Sequence, residues 1–580
     1  MLKKKQYANM KQIKTLVLSP LFYPVIFLVG LFCYYYHYFN YIAMPTEDYI
    51  GNFRPFVMSI LAGDFSSISN KLMPAYPFLL AAISLLMPET SADPIYTAAI
   101  IFNFLLLLPF LCITYLLYKR FLDNEFAFIA FILLATNIYT LYSGLNAELE
   151  IFLCTMIVLS IYLMSKKSWL AAIPTAITGI IKWDVIFMIP AYALHILNKT
   201  KKIKSFILCG IITSLPLIAW VGFTMLRKGH SANTYLGEIA HRGPNIYKYP
   251  IDALVTSFGF PRWLAMDIYH GRDMLSSIIL AAIAVITLVA LLVFIIYGIK
   301  TFIKIKDELK LPLLVFSGGF FIVHLVYQNT KDRYVVPIIW LLIMFAILGI
   351  KKLVTDGSFK VKNIFELDNR PMKQLGVFII LGIFYIQSVV ILFEKSDIFL
   401  LVFAFFVQVL ILTFLHQKTS LSLSKRLLAG LTTGIICFLN IAYTGDTLDH
   451  FSMRRIEFKE AAIWFKENAP NNAKLLMSET SVAQYYTGMD GSQIVPTETL
   501  TSTDVVNLIF ELKSKNITHV FIDDFYISRL LLNDPNAIDR KAVLMKNLRD
   551  SAPNNKSLRL LQTFKTYTGP KAYMYGIEPK

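Results

Sequence analysis

The chain has 580 residues, 56% of them hydrophobic and 16% charged, with a mean hydropathy of +0.57. Soluble domains are roughly 45–50% apolar and about 25% charged, so this composition excludes an ordinary cytosolic enzyme. The net charge of +17 is no nucleic-acid footprint, because the Lys and Arg excess falls in short loops between apolar spans.

In chain order, the basic start Met1 to Lys14 leads into an apolar span at 17–39. That span is longer than the 7–15 apolar residues of a signal peptide, so it reads as a permanent first helix. Further spans are expected near 95–118, 126–143, 149–164, 169–181, 183–197, 204–226, 274–299, 311–328, 335–350, 375–393, 397–415 and 427–444. A bilayer core takes about 20 apolar residues per helix. With the N-terminus cytoplasmic, the alternate loops hold Lys119-Arg120, Lys166-Lys167, Lys199 to Lys204, Lys300 to Lys310 and Lys351-Lys352. Basic loops resist translocation, which fixes the orientation. Merging 169–197 into one helix would reverse every later loop and export Lys199, Lys201, Lys202 and Lys204, with Lys300 to Lys310 following them. The charge bias therefore predicts a break at Lys182-Trp183-Asp184.

The expected fold class is a polytopic α-helical membrane protein of about 13 transmembrane helices with a small C-terminal extracytoplasmic α/β domain. Its membrane part covers residues 1–444 and its exported domain residues 445–580. In that tail a helix is expected at 454–468, a short strand at 474–478 and a helix at 501–515. Strands follow at 518–522, 557–564 and 571–577. All five cysteines (Cys33, Cys112, Cys154, Cys209 and Cys437) lie within spans, so the tail has no disulfide framework.

Two long loops share the exported side with the tail, about 40–94 and about 227–273. The second carries His230, His241 and His270, none paired at the i,i+4 spacing of a helical metal site. The first begins with adjacent Glu47 and Asp48. Two such carboxylates hold a metal, leave one as a base of raised pKa, or are simply acidic residues outside a membrane. Gly63-Asp64 lies fifteen residues after Asp48, and Lys71-Leu-Met-Pro74-Ala-Tyr76-Pro77 follows.

This pattern resembles the integral-membrane C-type glycosyltransferases that use polyprenyl-phosphate sugars, which include protein mannosyltransferases and the lipid A aminoarabinose transferase. In that group an acidic residue after the first helix is followed by an amphipathic segment, a Gly and a Pro-rich, Tyr-containing turn. The resemblance makes Asp48 or Glu47 the catalytic carboxylate, with the spacing to Gly63 favouring Asp48. Glu148, in Asn146-Ala-Glu148-Leu-Glu150, matches a second acidic residue facing the cavity, while Glu150 starts a helix. Lys182, after Gly179, matches a family Lys; its alternatives are pairing with Asp184 or snorkelling to the interface. Lys331-Asp-Arg333-Tyr334 resembles the family's Arg-Tyr signature, and Arg offers a planar fork of donors for phosphate oxygens. Alternatively, that loop anchors the helix ends. Lys71 and Tyr76 complete the implied substrate-binding set of Glu148, Lys71, Tyr76, Lys182, Arg333, Tyr334 and Lys331.

What the resemblance implies is transfer of a monosaccharide from a polyprenyl-phosphate donor to a glycan, lipid or protein acceptor. The location is a bacterial inner membrane, amid membrane lipid, with no nucleic acid. No cofactor is demanded, and a divalent metal is compatible with the acidic pair. The rival is a transporter or flippase of lipid-linked sugars, which needs the cations but no base.

Overall fold

The computed structural model describes residues 29–30, 45–46, 48–66, 72–88, 93–228, 248–258, 274–326 and 332–356. It also describes scattered positions from 385 to 442, and then 456–489, 491–502, 504–524, 540–565 and 571–578. Glu47, Lys71, Lys331 and the three loop histidines lie outside the described residues, as do most of the first expected span and most of the last three. Contacts divide the chain into two units. One joins Met1–Asn40 to Arg54–Leu448, and the other joins Tyr41–Phe53 to Asp449–Lys580.

The first unit is helical. Helix α1 (Arg54–Leu61) and α2 (Ala75–Ser84) occupy the first loop. Between them Gly63 has φ +69, a left-handed conformation that glycine reaches without steric penalty. Helix α3 (Pro94–Phe121) starts where Asp93 accepts from the backbone N–H groups of Ile95 and Tyr96. Such a cap satisfies donors that the first helical turn leaves open. Arg54 holds Asp93 at 3.1 Å, which ties α1 to the start of α3.

The expected span at 126–143 is two helices, α4 (Asn124–Ala135) and α5 (Ile138–Gly144), bent by 58°. Asn137 makes the bend. Its side-chain oxygen caps Tyr139 and Thr140, and its amide donates to the carbonyls of Thr256 and Ser257 at 3.0 Å. Helix α6 (Glu150–Ser165) follows. The break predicted at Lys182 separates α7 (Ala172–Gly179) from α8 (Met188–Thr200), with Lys182 itself extended.

Next come α9 (Ile203–Lys228), α10 (Lys248–Phe258), α11 (Met274–Lys304), α12 (Lys310–Val326) and α13 (Val336–Asp356). Helices α11 and α13 pack backbone to backbone. A Cβ at Gly298 would run into Phe345, and one at Gly349 into Phe294. Small residues permit that approach between membrane helices. Among the described residues, three helices are long and apolar enough to cross a membrane, or four with the bent pair as one.

In the second unit, α14 (Ile456–Asn468), β1 (Leu475–Met477), α15 (Thr480–Thr487), β2 (Ile494–Pro496) and α16 (Val505–Ser514) come first. They are followed by β3 (His519–Asp523), α17 (Arg540–Ser551), β4 (Leu558–Lys565) and β5 (Lys571–Ile577). The sheet order is β2-β1-β3-β5-β4, parallel from β2 to β3 and antiparallel beyond. Leu476, Val520, Ile522, Leu508, Leu512, Leu544 and Leu548 fill one core. The expected tail elements all occur within a few residues of their positions. Helices α15 and α17 and strand β2 were not anticipated, because Thr480–Thr487 and Ile494–Pro496 are too short to show a period and Arg540–Ser551 is rich in charge.

Candidate active site

Four buried titratable residues of the helical unit, Glu148, Glu150, Asp184 and His324, gather where the 145–149 loop, the 180–187 break and the 332–335 turn meet. Loop and break backbone can line such a place because side chains and neighbouring helices satisfy its polar groups. Asn103, more than two turns inside α3, donates through its amide to the carbonyls of Asn146 and Glu148, both at 2.6 Å. The same amide lies 3.1 Å from the hydroxyl of Tyr76, which is fully buried. Asn103 thereby joins the start of α2 to the Glu148 loop. Nearby, the backbone N–H of Ala75 donates to Ile180 at 3.0 Å, and Met73 packs with Ile189 and Leu217. The Pro74-Ala-Tyr76-Pro77 turn is thus seated on the break that carries Lys182.

Three carboxylates and three basic side chains share this place. Arg333 Nη1 lies 3.4 Å from Glu148 Oε1, and Glu148 is 4% exposed. Lys182 Nζ lies 3.1 Å from Asp184 Oδ2 and 3.9 Å from Glu150 Oε1. The second partner of Asp184 Oδ2 is His324 Nε2, at 3.3 Å. Tyr334 lies under both cations, with Lys182 Nζ 4.3 Å and the Arg333 guanidinium carbon 5.5 Å from its ring centroid. A cation over an aromatic face is attracted by the ring quadrupole, more strongly when desolvated. The buried oxygens Glu150 Oε2 and Asp184 Oδ1 accept no hydrogen bond from a described residue.

Of the residues singled out in the sequence, Tyr76, Glu148, Lys182, Arg333 and Tyr334 are therefore brought together. Lys182 does pair with Asp184. Glu150 starts α6 and reaches toward Lys182 as well. Missing from the sequence reading were His324, Asn103 and Asp184's second contact. A polar residue inside an apolar span was the available signal, since such groups in membrane segments mark function by default. Asp48 belongs to the other unit, in the segment Tyr41–Phe53 that groups with the C-terminal domain. Its Oδ1 accepts from Asn52 at 3.3 Å, and the turn Tyr49–Phe53 packs against α15. Among the described residues no three His, Cys, Asp or Glu side chains are disposed to hold a metal ion.

No family model and no curated sequence matches the chain. Among solved structures it is similar to ArnT from Cupriavidus metallidurans bound to undecaprenyl phosphate. The TM-score is 0.52 at 12% identity, over 98% of this chain and 99% of that one. The fold is that of a C-type glycosyltransferase. The apo state of the same ArnT gives a TM-score of 0.51, at 12% identity over 96% and 99% of the two chains. AglB from Archaeoglobus fulgidus, in complex with an inhibitory peptide and a dolichol-phosphate, reaches 0.42 at 12% identity over 87% and 66%.

Proposed function

We propose that this protein is a membrane glycosyltransferase that moves a monosaccharide from a polyprenyl-phosphate carrier to an acceptor hydroxyl on the extracytoplasmic side, with inversion. The observation that carries the reading is the pair of partly buried cations, Arg333 and Lys182, set over Tyr334 in a chain with the ArnT fold. ArnT was solved with undecaprenyl phosphate, and a lipid phosphate is the anion such cations suit.

Depth supports the same reading. The apolar helix Trp169–Gly179 rises only about 16 Å and the 13 residues of α8 about 20 Å. Both run from the basic loops, so the break between them falls inside a hydrocarbon core roughly 30 Å thick. A head group could reach it while its lipid tail stays among the helices.

In the proposed step, Asp48 takes the proton of the acceptor hydroxyl as that oxygen bonds to the anomeric carbon. The bond from that carbon to the phosphate oxygen breaks, and the electron pair leaves with the polyprenyl phosphate. Its charge rises from one negative to two. Arg333 and Lys182 stabilise that charge. A positioned base contributes about 10²–10⁴-fold.

The test is transfer from a radiolabelled polyprenyl-phosphate sugar, beside native mass spectrometry of bound lipid. Asp48→Asn should lose two orders of magnitude or more in transfer and keep the lipid. Arg333→Ala should lose the lipid. Transfer that survives both substitutions would refute the proposal, and lipid binding without transfer in the parent protein would favour a flippase.

A further inference from the structure

Helix α3 is long and apolar enough to cross a membrane, yet Asn103 stands well inside it and is fully buried. A polar side chain at such a place is costly unless it is bonded, so its bonds point to its role. The amide carries two hydrogens, and a backbone carbonyl only accepts. The carbonyls that receive them, those of Asn146 and Glu148, belong to the 145–149 loop that joins α5 to α6. The same face of α3 supports this loop a second time. Leu107 is four residues further on, and a Cβ at Gly144 would run into its side chain. The end of α5 thus rests on Leu107, and the loop that follows it is bonded to Asn103. Within the loop, Asn146 Oδ1 accepts from the backbone N–H of Ala147 at 2.8 Å. Beyond it the Glu148 carboxylate accepts from Arg333 Nη1 at 3.4 Å.

We propose that Asn103 is a positioning residue for the lipid phosphate. It fixes the backbone of the Glu148 loop on α3, and the carboxylate of Glu148, so placed, selects the orientation in which the Arg333 guanidinium meets the phosphate. A guanidinium on a long side chain has many rotamers, and a partner at a fixed place is what selects one of them. Asn103 touches no substrate in this scheme; it acts through two carbonyls, then through Glu148.

The role rests on the lipid-phosphate reading; the seating of the loop does not. The experiment therefore has two readouts, both on full-length protein in detergent. The first is amide hydrogen exchange of residues 145–149 in the parent and in Asn103→Ser. A helical Ser hydroxyl bonds back to a carbonyl of its own helix, so α3 stays satisfied while the loop loses its donor. Exchange in the loop should rise on the order of ten-fold. Unchanged exchange would overturn the proposal.

The second readout is the affinity for undecaprenyl phosphate of the parent, Asn103→Ser, Glu148→Gln and the double variant. Asn103→Ser should weaken binding on the order of ten-fold. Adding it to Glu148→Gln should cost nothing further, because the two act in series. An equal loss in both backgrounds would mean that Asn103 only supports the fold, and the proposal would fall. Gly144→Ala, which lifts the loop from Leu107 and leaves Asn103 unchanged, carries the same expectations should Asn103→Ser not fold. If Arg333→Ala loses the lipid while Asn103→Ser binds like the parent, the positioning role is wrong and the glycosyltransferase reading stands. If the parent binds no undecaprenyl phosphate, that reading fails and the positioning role with it.

Discussion

At one end of the helices between 94 and 356, Arg120 reaches Asp307 at 2.8 Å and Glu308 at 3.4 Å, and Lys351 meets Asp123 at 2.9 Å. These side chains are partly exposed, Arg120 by 29%. At the other end Lys182, Asp184 and His324 form pairs of similar length, yet His324 is only 2% exposed. Salt bridges within reach of water are worth about 0–1 kcal/mol each. A buried one repays its desolvation only while every partner remains. The two ends thus use the same residue types for different work. The first carries partly exposed pairs, and the second holds its charges largely away from water.

Substitutions at each end should separate these roles, beginning with the largest effect. Lys182→Met leaves Asp184 and Glu150 without their shared ammonium and should destabilise the helical unit by about 3–5 kcal/mol, read as the shift in thermal unfolding in detergent. Pairing it with Asp184→Leu should recover part of that loss. The helices that connect the ends come next. Gly298→Ala would push a methyl into Phe345 of the facing helix, and about 1–3 kcal/mol of overpacking is expected. Equal melting of the parent and this variant would show that α11 and α13 lie further apart.

The second unit offers a contrast in pH. Burial holds the His519 imidazole below its ordinary 6.5. Glu511 is held at about 2, where burial opposes the fall but donation from Thr501, Lys515 and Ser502 outweighs it. At both sites the unfolded chain binds a proton before the folded one does. Stability of this unit should therefore decline as pH drops below about 6.5 through His519, and again from 4.5 toward 2 through Glu511. Hydrogen exchange of α16 and β3 in the full chain, corrected for intrinsic rates, measures it. His519→Phe should remove the first decline and leave the second.

Smallest is Arg120→Ala at the basic end, where about 0.2–1 kcal/mol is expected, and less at high salt. A loss as large as that of Lys182→Met would erase the contrast between the ends.

Much of the helical unit could be read from spacing and charge. The break at Lys182 is an instance: only two segments keep Lys199 to Lys204 on the basic side, and the structure separates α7 from α8 there. Tyr76, Glu148, Lys182, Arg333 and Tyr334 were singled out by the resemblance of their loop motifs to the C-type glycosyltransferases, and Lys182 also because it interrupts an apolar run. Asn103 and His324 were not, since each stands alone in an apolar run, where a satisfied packing residue looks the same in sequence. Nor was the bend at Asn137 visible, because the carbonyls that receive its amide belong to Thr256 and Ser257, more than a hundred residues later.

By itself the sequence determined the membrane class and the expected helices and strands of the α/β tail. Each depends on composition or on a local period, which neighbouring residues set among themselves. Tertiary structure alone decided which charges meet. Arg333 finds Glu148 across 185 positions, His324 closes on Asp184, and the Asp48 segment groups with the C-terminal domain. Pairings at such distance follow from how the helices pack and where their ends converge, and no local pattern carries that information.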